Sequence, residues 1–409
     1  MEESRELAPR GRGTFASLSL PQFRYLLAGT AASQVASWME EVARGWLVLQ
    51  LTDSPFQLGL IGFIRGITQL LFSPVAGVMA DRLDRRRLAA ITQVVPGIGA
   101  LLIAVLVTTD TVQMWHLYVL VCISGISGAV NIPARQVLVY DTVGEQYMTN
   151  AIALNAVVSN IARIIAPAVG GVFIGAIGIA SSYYAQTVFF LLATAATFLL
   201  HPTQHIVHVR TPIVEGIREG VAYVRENRTV GRLIVLNAIP ALLIYPYVSM
   251  MPIFAKDILD VGSSGFGILL TGVGVGSIPG GLIVAGMTHS RVKGRTMGVA
   301  MLLYTGMVAA FGLSTFFPLS FAILVLAGIG WSMMVTLNQT LLQTYVDDAY
   351  RGRVLSLHSM VGGFTPFGNL GMGVSAGLFG VQASVVAFAL AGFAASAVLA
   401  VGSRRIRGL

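Results

Sequence analysis

The sequence predicts an all-α integral membrane protein of twelve transmembrane helices arranged as two pseudo-symmetric six-helix halves. Three observations predict it. Twelve apolar stretches of membrane-spanning length run along the 409 residues, in a chain that is 55% hydrophobic and 11% charged, against about 25% charged in soluble domains. Twenty-two of the 26 Lys+Arg fall in connections on one face of those stretches. The segment joining the fourth stretch to the fifth recurs half a chain later.

Each spanning helix needs roughly 20 apolar residues. The expected spans are 23–51, 56–80, 88–107, 115–140, 151–177 and 181–200 in the first half. In the second half they are 230–255, 265–287, 296–317, 319–342, 354–379 and 382–401. Around them lie a short N-terminal segment (1–22), a linker (201–229) and a tail (402–409), so the halves are 23–200 and 230–401. The one-sided arginines include Arg82, Arg85, Arg86 and Arg87 after the second stretch and Arg135 after the fourth. Cytoplasmic loops carry the Lys/Arg excess, so both termini are expected in the cytoplasm of a multi-pass inner-membrane protein. Only Lys256 lies on the opposite face. The first 20 or so residues are polar without a cleavable signal pattern.

The net charge of +8 follows from loop topology and contact with anionic lipid, so the bilayer, not nucleic acid, is the expected partner. Cys122 is the only cysteine, which excludes a disulfide framework and a thiolate metal site. No metal and no cofactor is expected. Within the linker, Ile213, Ile217, Val221 and Val224 recur at helical spacing with charges between them, as in an amphipathic helix on the cytoplasmic interface.

The repeat is a shift of 203 residues that lays 131–154 over 334–357. It pairs Gln136 with Gln339, Leu138 with Leu341, Val143 with Val346, Tyr147 with Tyr350 and Leu154 with Leu357. Two six-helix halves of the same orientation are the parallel-repeat plan of a large transporter class, with a site between the halves near mid-membrane.

The connection after the second helix reads Gly77-Val-Met-Ala-Asp81-Arg82-Leu-Asp84-Arg85-Arg86-Arg87. It resembles the signature loop of the major facilitator superfamily, G-x-x-x-D-R-x-G-R-R, with Asp84 at the second glycine. Gly77 is expected to let two helices pack closely, and the loop to act as a conformational element through Asp81, Arg82, Arg85 and Arg86. The segments around Trp38, Trp46, Pro133-Ala134-Arg135-Gln136, Asn150–Asn155, Pro252–Ala255 and Arg351–Ser356 are similar to the branch holding enterobactin exporters and macrolide-efflux proteins. Helix five carries Arg163 and then Ala166-Pro167-Ala-Val-Gly170-Gly171, which resembles the antiporter motif G-x-x-x-G-P-x-x-G-G. The resemblance implies the major facilitator fold and export in exchange for protons. Plain helix packing of small residues is the other reading of that motif.

Arg44, Arg65 and Arg163 fall inside apolar stretches. Ser33, Ser37, Glu40 and Arg44 share one face of helix one by their spacing, with Glu41 beside them. At 1.5 Å per residue, Glu40 lies roughly 26 Å from the inner start, Arg65 roughly 14 Å from the outer face and Arg163 roughly 18 Å from the inner face. Intramembrane charges face a bundle interior or water, pair with one another, and mark pathways. Glu40 and Glu41 are the proton-coupling candidates; a salt bridge of Glu40 with Arg44 at the outer rim of the roughly 30 Å core is the other reading. Ser37, Arg44, Arg65, Asn131, Arg163, Asn237, Tyr245, Trp331 and Asn338 are the candidate cavity residues. Three arginines against two glutamates leave the cavity about +1, favouring an anionic or zwitterionic small molecule.

The expected function is a secondary active transporter, working by alternating access as a monomer, that exports siderophore- or macrolide-like amphipathic compounds with protons as coupling ion. A lysophospholipid or metal-chelate carrier on the same fold remains the alternative. An intramembrane enzyme is the remote one, since the chain lacks a nucleophile–base pair or ligand cluster at membrane depth.

Overall fold

The computed structural model describes residues 15–201, 213–287, 292–347 and 350–402, with the backbone alone at 78, 80–82, 213–217 and 400–402. Among these residues every regular element is helical. The N-terminal half comprises α1 (Pro21–Thr52), α2 (Pro55–Arg82), α3 (Arg85–Thr108), α4 (Met114–Ile177) and α5 (Ile179–Phe198). The C-terminal half comprises α7 (Arg228–Ile239), α8 (Tyr247–Ile253), α9 (Gly262–Ala285), α10 (Lys293–Leu313), α11 (Phe317–Tyr345), α12 (Arg351–Met360), α13 (Thr365–Phe379) and α14 (Val381–Gly402). Between them lies the linker helix α6 (Ile213–Glu226).

Nine of the described helical segments are long and apolar enough to cross a membrane, and the 64-residue α4 is one of them. Gly144 divides α4, with φ 68° and ψ 177°, a left-handed φ that glycine adopts without Cβ strain. Its two arms are the fourth and fifth spans. The seventh span joins α7 to α8 through a π-helical turn at Pro240–Ile244 and ends in a second at Phe254–Ile258. The eleventh joins α12 to α13 through a 3₁₀ turn at Val361–Phe364, which contains the Gly362-Gly363 pair. The architecture is the all-α membrane fold, consistent with twelve crossings.

Capping marks the ends. Pro21 and Pro55 open α1 and α2, where a missing N–H costs nothing. Asp84 caps α3 by accepting from Arg86 N (2.9 Å) and Arg87 N (3.2 Å), so the acid at the motif's second glycine serves as an N-cap. Asn227 does the same for α7. Asp53, Asp110 and Asp260 take left-handed φ values of 48°, 54° and 50°, all in turns at the end away from the termini.

The halves meet along two seams near that far end. In one, α2 runs against α13: a Cβ at Gly59 would stand 2.5 Å from Asn369 O, and one at Gly66 would stand 2.3 Å from Pro366 Cγ. In the other, the second arm of α4 runs against α9: a Cβ at Gly267 would stand 2.2 Å from Pro167 O, and Thr271 Oγ1 donates to Ile164 O at 2.7 Å. Toward the termini the seams part. A Cβ at Gly77 would meet nothing within 4 Å, and Ile161, Ile278 and Leu282 are exposed.

Two expectations change here. Gly77 does not serve close packing: it faces the open cavity, while its neighbour Ala76 packs on α4. The linker helix is not simply laid on the membrane interface. Glu219 pairs with Arg353 Nη1 at 2.8 Å, Tyr223 stacks on Tyr350 at 4.6 Å, and Val224 packs against the core around Val230 and Leu233. It rides on the C-terminal half at the end near the termini.

Candidate functional site

A cavity of about 600 Å³ runs from Glu41, Arg44 and Arg65 to Gly77, Pro133 and Met360 near the terminal end. A smaller cavity of about 130 Å³ lies beside it, lined by Trp38, Arg163, Tyr245, Tyr247, Tyr304 and Trp331 with apolar neighbours. Tyr245 lines both. It follows directly on the first π turn of the seventh span, a distortion often found at functional sites.

The charges on α1 and α2 form one network. Arg44 Nη1 donates to Glu40 Oε1 at 3.0 Å and Arg44 Nη2 donates to Glu41 Oε2. Arg65 Nη1 donates to that same Glu41 oxygen at 2.7 Å. Ser124 Oγ donates to Glu40 Oε1 at 3.0 Å. The two acids differ in access: Glu40 is 4% exposed and points into the N-terminal half, whereas the Glu41 side chain is 27% exposed and lines the large cavity. Geometry thus separates two glutamates that sequence treats alike.

Arg163 is left over. Among the described residues no carboxylate pairs with it, and its Nε is buried without a hydrogen-bond partner. Its Cζ lies 4.8 Å from the Trp331 ring centre and 5.9 Å from that of Trp38. An unpaired arginine at mid-membrane costs at least about 3 kcal/mol, and a desolvated cation–π contact returns about 2 kcal/mol. The net positive charge of the cavity is therefore localised at Arg163.

Other candidate residues fall elsewhere. Asn131 Nδ2 donates to Thr92 Oγ1 at 2.7 Å, tying α4 to α3 inside the N-terminal half. Asn338 is fully buried in the C-terminal half, donating to Leu233 O at 2.9 Å and facing His358 Nε2 at 3.0 Å. Both are interior braces and do not line the cavity. Ser37 Oγ donates to Ser33 O at 2.9 Å on its own helix, and Asn237 is half-buried on α7. Of the motif residues, Pro167 and Gly171 form the α4 side of the second seam, Gly170 faces α1 and Ala166 is buried. A Cβ at Gly171 would stand 2.5 Å from Ser263 O, and one at Gly170 would stand 3.4 Å from Met39.

In the signature loop, Arg85 is buried and paired with Asp141 at 2.8 Å. Arg86 donates to the Phe198 carbonyl and covers the Phe198 ring. The side chains of Asp81 and Arg82 lie outside the described residues. Arg135 is a correction: it belongs to the helix, not to a connection. Its Nη1 donates to Ser33 Oγ at 2.8 Å, while its Nε and Nη2 are buried without partners. The sequence hides it because Pro133 and the following polar residues imitate a helix end. At the far end, Lys256 Nζ donates to Asp53 Oδ1 at 2.7 Å, an ion pair between the halves that 203 residues of separation conceal.

The sequence pattern of the transmembrane secretion effector family matches residues 12–406, which is nearly the whole chain. The chain belongs to this family of the major facilitator superfamily. Among its relatives is the staphyloferrin A transporter of Staphylococcus aureus, 24% identical over 372 residues, 88% of this chain and 90% of the relative. The enterobactin exporter of Shigella flexneri is 24% identical over 352 residues, 82% of this chain and 80% of that one. A bacterial homologue of the human lysosomal transporter Spinster, solved inward-facing and unoccupied, superposes with a TM-score of 0.75 at 15% identity. That match covers 95% of this chain and 98% of the other, and it shows the shared fold. The protein is a multi-pass membrane transporter of small molecules and not an enzyme.

Proposed function

We propose that this transporter exports siderophore- or macrolide-like amphipathic molecules, anionic or zwitterionic, in exchange for protons. It works by alternating access as a monomer in the inner membrane, with both termini in the cytoplasm. The seams closed at the far end and the cavity open toward the termini then correspond to the state that loads from the cytoplasm. The observation that carries the reading is Glu41, a carboxylate on the cavity wall that accepts from two arginines at once.

Exchange requires proton and substrate to exclude one another. A protonated Glu41 loses its charge-assisted bonds to Arg44 and Arg65. It also loses any donor group of the substrate, such as an ammonium or hydroxyl, that bound the carboxylate. A substrate that touched only the arginines would instead bind together with the proton, giving co-transport. Exchange therefore favours a zwitterionic or donor-rich compound whose polar group reaches Glu41. Glu40, buried behind Arg44, holds that arginine in place and is the second titrating candidate.

The test is proton flux in inside-out vesicles with an acidic interior, read by a pH-sensitive dye as siderophores, macrolides and lysolipids are added. Release by one compound that falls at least about tenfold in Glu41→Gln, the scale of a lost charge-assisted interaction, supports exchange through Glu41. Binding of a compound without proton release overturns exchange and makes the protein a facilitator or lipid carrier.

A further inference from the structure

The small cavity beside Glu41 has a chemistry of its own. Its charged wall is Arg163, which lacks a carboxylate partner among the described residues. The rest of its surface is aromatic and apolar: Trp38, Tyr245, Tyr247, Tyr304 and Trp331. By contrast, Arg44 and Arg65 on the large cavity are already matched by Glu40 and Glu41. At about 130 Å³ the small cavity has the volume of roughly four waters, the size of a single ring carrying one acid group and too little for a whole siderophore-sized molecule.

Three properties narrow the occupant. The unpartnered Arg163 Nε calls for a hydrogen-bond acceptor, and guanidinium forks favour planar oxyanions. The walls of Trp and Tyr reward a flat apolar body. Tyr245, shared with the large cavity, permits the group to be one arm of a larger molecule. We propose that the annex formed by Arg163, Trp38 and Trp331 is the subsite for a planar aromatic carboxylate arm of the transported compound. This rests on the transport reading above and adds the location and chemical class of the anionic group.

The location also bears on coupling between the halves. Arg163 sits on α4 where the second seam ends: a Cβ at Gly274 would stand 3.5 Å from the Arg163 carbonyl. Its cation–π partner Trp331 is on α11 in the other half. An anion at Arg163 draws the guanidinium from Trp331 and so acts on a contact that joins the two halves.

The probe is salicylate, with salicylamide as its uncharged match, titrated by calorimetry against the purified full-length transporter in lipid nanodiscs with no pH gradient. Salicylate is expected to bind, and salicylamide about tenfold or more weaker, the scale of a hydrogen bond to a charged group. Arg163→Gln is expected to lower salicylate affinity by about tenfold or more, and Trp331→Leu by roughly two- to tenfold. Arg163→Lys, which keeps the charge and loses the planar fork, is expected to fall between wild type and Arg163→Gln, and it stands in if the Gln variant does not fold. Equal binding of salicylate and salicylamide, or unchanged salicylate affinity in both Arg163 variants, overturns the subsite. Salicylate binding lost in Arg163→Gln, in a protein whose vesicles release no protons, leaves the subsite standing and removes only the exchange reading.

Discussion

The N-terminal half holds Glu40, Glu41, Arg44 and Arg65 in one ionic network within its helices. In the C-terminal half, α9, α11, α13 and α14 contain no Asp, Glu, Lys or Arg at all. Its buried polar cluster, His358 with Asn338 and the Leu233 carbonyl, is bonded through side-chain amide and ring nitrogen. The C-terminal half brings aromatic side chains to the shared cavity, with Tyr245 set by the first π turn; the N-terminal half brings charge. The halves thus divide the cavity lining: one supplies its charge, the other most of its aromatic surface, and Arg163 against Trp331 is where the two meet.

The sharpest way to break that comparison is Arg44→Met. It strands Glu40, which is buried, and removing one member of a buried ion pair costs about 3–5 kcal/mol. Thermal unfolding in detergent should show a large fall, partly recovered in Glu40→Gln/Arg44→Met; a loss under about 1 kcal/mol would mean that the network is not desolvated. Asn338→Leu makes the matching cut in the C-terminal half. It leaves one buried carbonyl and one imidazole without a partner, at about 1–3 kcal/mol in the same assay. A loss as large as that of Arg44→Met would erase the distinction between the halves. The smallest effect belongs to the bond between them. Asp53 and Lys256 are 68% and 41% exposed at their side chains, so Asp53→Asn should shift the balance of open and closed far ends by at most about 1 kcal/mol, or about fivefold. Spin-label distances across that end, at low and high salt, would read the shift, and the difference should vanish at high salt.

Much of the fold was legible because a bilayer imposes a length on apolar runs and a sidedness on arginine. The repeat was legible because the turn between the fourth and fifth spans recurs. Partners across the bundle were not legible. Glu41 and Arg65 are 24 residues apart, and Arg163 and Trp331 sit in different halves, so no spacing rule connects them. Asn131 and Asn338 look like cavity residues in sequence because helices so uniformly apolar display no polar face by which to orient them. Tyr245 is a special case: helical spacing counted from Asn237 crosses the π turn at Pro240–Ile244 and loses its phase there.

That lost phase has a consequence for the length of the chain. A one-residue insertion in a regular helix rotates everything beyond it by about 100°, carrying packed side chains to the wrong neighbours. A π turn absorbs the extra residue as a local bulge and leaves the helix on either side in place. The seventh span contains two such reserves, one on each side of Tyr247–Ile253. It can lose a residue at one bulge by closing it to an ordinary turn, a change in length that its regular neighbours could not take without re-registering their contacts. The segment lining the small cavity is thereby uncoupled in register from the ends that anchor it.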